Sequence, residues 1–281
     1  MAEAAGGPCA RQAARARPLS GPLVRHVQIG GEAHRVWERG QGEGLGLLAG
    51  MGGFGSWTPF LECLSGERRV VVPSLPGFPG GGAGHHKLDD LLDWIGVTLD
   101  LLEKAGLAGS DLVGHGPGGL LAAEIAALSP GMVRKLVLIA PFGLFDPAEP
   151  VADCFARRAS EIPSLFCAQP QAFERDLACP PGDDEVEWQL TRLRASEAAA
   201  RLLWPIGDLG LHKRLHRIVS PALLLWGSED RIVPASYAKR FADAMGRRPE
   251  IRSVEGAGHR VDLDAPEATA SAILSFLRKA A

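Results

Sequence analysis

A chain of 281 residues that is 46% hydrophobic, with a formal net charge of −3, can bury one large core or a core plus an inserted subdomain. The slightly acidic balance excludes the basic stripe of a nucleic-acid binder, and no apolar run approaches the roughly 18 residues of a membrane span. Five widely spaced cysteines, Cys9, Cys63, Cys154, Cys167 and Cys179, contain no C-x-x-C pair. They indicate neither a disulfide framework nor a zinc site and point to a reducing cytoplasm.

Residues 1–22 are rich in Ala, Gly and Arg, and Arg11, Arg15 and Arg17 make them basic without the apolar segment of a secretory signal. They read as a disordered basic tail. From Val24 the pattern is that of a sheet protein. Val24 to Ile29 and Ala33 to Glu38 predict two strands around the Gly30-Gly31 turn, and Leu45 to Ala49 a wholly apolar strand ending at Gly50-Met51-Gly52-Gly53. Ser56 to Leu64 predicts a helix and Arg69 to Val72 a strand. The stretch from Pro73 to His86, with five glycines and three prolines, predicts a loop. Apolar residues at helical spacing from Leu88 to Leu102 predict a helix that Gly106 stops.

Asp111 to Ala127 reads D-L-V-G-H-G-P-G-G-L-L-A-A-E-I-A-A. A short apolar run meets a glycine-dense turn and then a helix whose near face, Gly118, Gly119, Ala122 and Ala123, is small enough to lie close against a sheet. Val133 to Ala140 predicts another buried strand. Between Phe145 and Leu211 no strand pattern occurs, and twelve acids and six arginines accompany helical fragments broken by Pro163, Pro170, Pro180, Pro181 and Pro205. This shift marks an inserted helical lid at 145–212, dividing a core of 23–144 and 213–281. Alternation resumes with a strand at Ala222 to Trp226, a helix at Ser236 to Met245, a strand at Glu250 to Val254 and a helix at Pro266 to Lys279, which implies a mainly parallel sheet covered on both faces.

These features resemble the α/β-hydrolase superfamily over nearly all of the chain after residue 24. The Gly50 turn after the third strand, the Leu75-Pro76-Gly77-Phe78 loop, the strand-turn-helix elbow, an acid in W-G-S-E-D-R-I-V-P and a histidine in G-A-G-H-R occur in that family's order. The resemblance implies an α/β fold with a mostly parallel eight-stranded sheet and an inserted helical lid, closest to the lidded esterases, C–C bond hydrolases and haloperoxidase-like members. It also implies that Asp230 is the triad acid and His259 the base: a carboxylate holding one imidazole nitrogen fixes the tautomer and makes the other nitrogen a better proton acceptor. The plainer alternative is that Asp230 caps the turn before Ile232 and His259 fills a loop.

The departures from the pattern concern the nucleophile. Gly116 stands where the family's G-x-S-x-G elbow carries serine and cannot form an acyl-enzyme. Pro117 follows it, where the family donates a backbone N–H to the oxyanion hole; proline has none, and loss of one such donor lowers turnover by about a hundred- to a thousand-fold. Met51 would be the remaining donor, after Gly50, and Ala49 replaces the common histidine there. His115, beside the elbow, reads as structural, although it falls with Gly50, Met51 and Pro117 in the expected oxyanion and pocket region. Both elbow changes suit the backbone, since glycine accepts the positive φ of an elbow without strain and proline fits a first helical turn.

No other side chain is a clear substitute. Ser56 and Ser228 read as turn serines, and Cys63, Cys154 and Cys167 as small buried residues. His85 and His86 have no ligand partner at metal spacing and read as loop, and Gly80 to Gly84 lack the G-K-S/T of a phosphate loop. Trp188, Trp204, Phe155, Phe166 and Phe173 are expected in the lid core, some lining an apolar pocket. The resulting expectation is a cytoplasmic monomer or homodimer needing no cofactor or metal. It would use an Asp230/His259 general base on a small apolar ester, lactone or ketone, through hydrolysis or lyase-like chemistry. The alternatives are a non-catalytic binder of small molecules and a disabled variant of a serine esterase.

Overall fold

The computed structural model describes residues 21–279; the predicted basic tail lies outside them except for Gly21 and Pro22. Eight strands, β1 (Leu23–Ile29), β2 (Glu32–Arg39), β3 (Gly44–Leu48), β4 (Arg69–Pro73), β5 (Ser110–His115), β6 (Val133–Ile139), β7 (Ala222–Gly227) and β8 (Glu250–Val254), form one sheet in the order β1-β2-β4-β3-β5-β6-β7-β8. The pairs β1/β2 and β2/β4 are antiparallel, and every other pair is parallel. This is the α/β-hydrolase arrangement that the motifs imply.

The central strands are apolar throughout because both of their faces are covered. Leu48, Leu112, Leu136, Leu138 and Leu224 face the layer containing α2 (Leu91–Lys104), α3 (Gly116–Leu128) and α7 (Ser236–Ala244). Leu45, Leu47, Val113, Val137, Leu223 and Leu225 face α1 (Pro59–Ser65) and α9 (Pro266–Leu277). Each such leucine buried on folding contributes about 1.5–3 kcal/mol.

Capping explains where two helices begin. The periodic pattern starts at Leu88, but α2 begins at Leu91 because the Asp90 side chain accepts hydrogen bonds from the backbone N–H groups of Leu92 and Asp93. Likewise Thr58 caps α1, so that helix starts at Pro59 rather than Ser56. Within the glycine-rich loop, Ala83–Lys87 forms a 3₁₀ turn, a regular turn that glycine and proline content did not suggest.

Between β6 and β7 the chain makes only helical elements among the described residues, including α4 (Ile162–Phe166), α5 (Pro170–Leu177) and α6 (Glu185–Leu203). α8 (Val261–Asp264) is a further short helix after β8. Trp204 does not join a core, being 61% exposed. Cys154, Cys167 and Cys179 are free. At the N-terminal ends of the strands, buried Asp111 takes Arg134 at 2.8 Å and Arg68, and both arginines also reach Glu43. Among the described residues no helix is long and apolar enough to cross a membrane.

Candidate active site

β5 runs directly into α3, and the turn between them carries the geometry of the site. Gly116 sits at φ +50°, a left-handed conformation that costs a residue with a Cβ about 1–2 kcal/mol. Gly118 brings the helix onto the sheet: a Cβ there would stand 2.5 Å from the carbonyl oxygens of Leu48 and Ala49. Pro117 lies in the first turn of α3, where its missing N–H has no helical partner to lose.

Asp230 stands in the turn after β7 and His259 in the loop after β8. Asp230 Oδ1 accepts from the N–H groups of Ile232 at 2.8 Å and Val233 at 3.0 Å, while its Oδ2 lies 2.9 Å from His259 Nδ1. The capping role and the histidine contact are thus both present, one on each carboxylate oxygen. Neither side chain is exposed. With Nδ1–H donated to the carboxylate, the lone pair of a neutral imidazole falls on Nε2. That nitrogen is buried and has no hydrogen-bond partner, and it is 3.3 Å from the point where a Cβ on residue 116 would sit. The rings of Phe142 and Phe166 meet the imidazole edge-on at 5.8 and 5.9 Å.

His115 supports the histidine loop from below, with Nε2 2.9 Å from the His259 carbonyl oxygen. Burial holds its pKa down to about 4, against the opposing pull of Asp262, so it is a neutral donor to that carbonyl near pH 7. Gly50 lets the ring approach: a Cβ at Gly50 would be 2.7 Å from His115 Nδ1.

A cavity of about 670 Å³ opens beside these groups, its wall including Met51, Phe166, Phe173, Asp176, Trp188 and Arg260. Of Gly50, Met51, His115 and Pro117, expected in the oxyanion and pocket region, only Met51 lies in this wall, whereas Phe155, Phe166, Phe173 and Trp188 line it as the sequence suggested for some of them. Gly50, His115 and Pro117 do not, because Gly50 and His115 pack on each other beneath the dyad and Pro117 is buried in α3. Gly116, Asp230 and His259 likewise do not line it, and Phe166 lines the cavity while its ring packs edge-on against the imidazole. Phe155 and Cys154 also line the cavity; burial pushes the Cys154 thiol up to about 12 and raises Cys167 as well, so neither is a thiolate near pH 7. Ser228 Oγ accepts from Gly256 N at 2.9 Å, and Ser56 is exposed outside the cavity wall.

Sequence reasoning missed the group that ties the inserted helices to the histidine. Arg260 binds Asp262 through Nε at 2.8 Å and Nη2 at 2.9 Å, and reaches Asp176 of α5 at 3.3 Å. The Arg260 backbone N–H donates to Phe166 O at 2.8 Å, and Asp264 Oδ2 accepts from Ala168 N and Gly258 N, each at 2.8 Å. Despite burial, the two carboxylates hold Arg260 firmly charged, and Arg260 in turn keeps buried Asp262 below the usual carboxylate range. Burial instead raises Asp176. The Arg-x-Asp spacing after His259 was the only trace of this network in the sequence. A second correction concerns His85 and His86: Glu197 of α6 lies 3.7 and 3.4 Å from them, a partner that only the packing of the inserted helix onto the loop supplies.

The model of the alpha/beta hydrolase family matches residues 47–272. The chain is 32% identical to the dihydrolipoyllysine-residue acetyltransferase component of the acetoin cleaving system of Pseudomonas putida, over 92% of this chain and 70% of that protein. It is 24% identical to 2-hydroxymuconate semialdehyde hydrolase of Pseudomonas sp. strain CF600, over 94% of this chain and 97% of that one. Among solved structures, 2-hydroxy-6-oxo-6-phenylhexa-2,4-dienoate hydrolase from Rhodococcus sp. strain RHA1 is similar in fold, with a TM-score of 0.69, 21% identity, and coverage of 92% of this chain and 99% of that one. With this sheet order, this elbow and that match across most of its length, the chain belongs to the alpha/beta hydrolase family.

Proposed function

We propose that the protein is a hydrolase that works without a covalent intermediate, with His259 as general base and Asp230 as its orienting acid. The observation that carries this reading is the buried, unpartnered Nε2 of His259, 3.3 Å from where a side chain on residue 116 would begin. In this reading Nε2 deprotonates a water, held on the side where a seryl group would stand, as that water attacks a carbonyl. The helices of 145–212 act as a lid, and the mostly apolar wall with Phe166, Phe173 and Trp188 suits a small apolar ester, lactone or ketone. Relatives named as hydrolases of carbamates and of semialdehydes support hydrolysis of an activated carbonyl or a C–C bond. Because His259 lies behind Phe166, substrate reaches it when that ring moves aside.

A second reading, a binder of small apolar molecules with no turnover, is favoured by the zero exposure of His259 and by the absence of an N–H on Pro117. Both are tested with a panel of short-chain aryl esters and lactones together with a fluorophosphonate probe. The base mechanism gives turnover that falls at least about a hundredfold in His259→Ala, with no covalent labelling of the wild type. Labelling of the wild-type chain, or equal turnover in the variant, rules out the dyad mechanism. Saturable ligand binding without turnover, unchanged in His259→Ala, selects the binder.

A further inference from the structure

The 3₁₀ turn Ala83–Lys87 and helix α6 meet at a second cluster, apart from the dyad. His85 Nε2 is 3.7 Å from Glu197 Oε2, His86 Nδ1 is 3.4 Å from Glu197 Oε1, and the imidazole planes are tilted by 37° with centroids 4.0 Å apart. One ligand atom from each of the three residues falls within 4.8 Å of the others. His85 is completely buried, and neither of its ring nitrogens has a hydrogen-bond partner. A buried imidazole without a partner is costly and rare, and this one has its Nε2 facing the carboxylate at a distance too long for a hydrogen bond.

We propose that His85, His86 and Glu197 form a binding site for a divalent late first-row transition metal, with Zn²⁺ as the best fit, that fastens α6 to the Leu75–Lys87 loop. Two imidazoles and one carboxylate are a donor set such ions accept. The spacing comes close: bonds of about 2.0–2.1 Å to a tetrahedral centre set ligand atoms about 3.3 Å apart, and the three donors lie within 4.8 Å of one another. Small movements suffice, because His86 and Glu197 are about half exposed while His85 is held in place. The His85 ring is fixed by Gly77, at φ +80°, where a Cβ would stand 2.7 Å from His85 Cγ and 2.6 Å from Ala198 Cβ. The loop thus closes on both the histidine and the helix. Two features weigh against a plain ion pair at this place. Glu197 already accepts from Arg201 at 3.1 Å, and at 3.7 Å its carboxylate is too far from His85 Nε2 to satisfy that nitrogen with a hydrogen bond. Three protein donors also leave a fourth position open to water, and Glu197 lines the cavity, so the metal would sit at the cavity rim and hold the lid helix against the core.

The test uses the full, untagged chain, apo after chelation, titrated with Co²⁺ by visible absorption and with Zn²⁺ by competition. The expected result is one saturable site with a tetrahedral Co²⁺ band, weakened at least about tenfold in both His86→Ala and Glu197→Gln. These positions are half exposed, so both variants fold, which circular dichroism verifies. Zn²⁺ should also slow hydrogen exchange at the start of α6's last turns and in Ala83–Lys87 in the wild type but not in Glu197→Gln. The proposal is overturned by an absence of saturable binding up to about 100 µM metal, or by binding whose affinity both variants leave unchanged, which would place the ion elsewhere.

Discussion

The elbow at Gly116 and Pro117 and the pair of Asp230 and His259 lie across from each other, with His259 Nε2 3.3 Å from where a Cβ on residue 116 would sit, and they differ in what the fold asks of them. At the elbow, the residues present are those the backbone prefers: glycine at positive φ and proline in a first helical turn. Across from it, the residues do more than the turn itself requires. One oxygen of Asp230 caps a turn, which any fold could use, while the other holds His259 at 2.9 Å in a place without solvent. A buried imidazole aligned by a carboxylate, with its far nitrogen left unpaired, does not stabilise a loop. The contrast teaches that stability has been favoured on the side where a nucleophile would stand, while a buried, polar and costly arrangement is kept on the other.

Separating the two oxygens of Asp230 breaks that contrast most directly. Asp230→Asn keeps an oxygen for the Ile232 and Val233 N–H groups but turns an amide toward Nδ1, reversing the tautomer. If the pair is a base, turnover should fall by up to about 10⁴-fold with little change in melting temperature, read by ester hydrolysis alongside thermal unfolding. A parallel loss of stability and activity would mean that the carboxylate is only a cap.

The next effect is on stability. Arg260→Met leaves Asp262 buried with no cation at hand, which costs about 3–5 kcal/mol and loosens the inserted helices held through Asp176. Denaturant unfolding measures the first effect, and limited proteolysis within 145–212 the second. Loss of the same size in Asp176→Asn, whose carboxylate is only 17% exposed but sits at the edge of the network, would show that the contact to α5 rather than the Asp262 pair carries the energy.

The smallest effect sharpens the elbow side. Gly116→Ser should cost about 1–2 kcal/mol of stability for a Cβ at positive φ, and its hydroxyl would lie within reach of Nε2. Fluorophosphonate labelling should then appear, with weak ester turnover. Adding Pro117→Gly restores a backbone N–H and should raise that turnover by about ten- to a thousand-fold. Full esterase rates in the single variant would show that the donor at residue 117 is dispensable.

The sequence by itself determined the layered α/β fold. Apolar runs such as Leu45–Leu48 and Val133–Ile139, helical spacing from Leu91 onward, and the small face of Gly118, Gly119, Ala122 and Ala123 are local patterns, and each names its own element and its own buried face. It also named Asp230 and His259 as a pair, because their order and their places after two late strands follow a known motif. What it did not hold were the contacts made between segments far apart in the chain. The fastening of α5 to the histidine loop through Arg260 and Asp176, the neutral His115 beneath His259, the screening of the imidazole from the cavity by Phe166, and the meeting of Glu197 with His85 and His86 all depend on how the inserted helices settle on the sheet. That placement is fixed by long-range packing and by the pairing of buried charges, energies that no window of neighbouring residues contains.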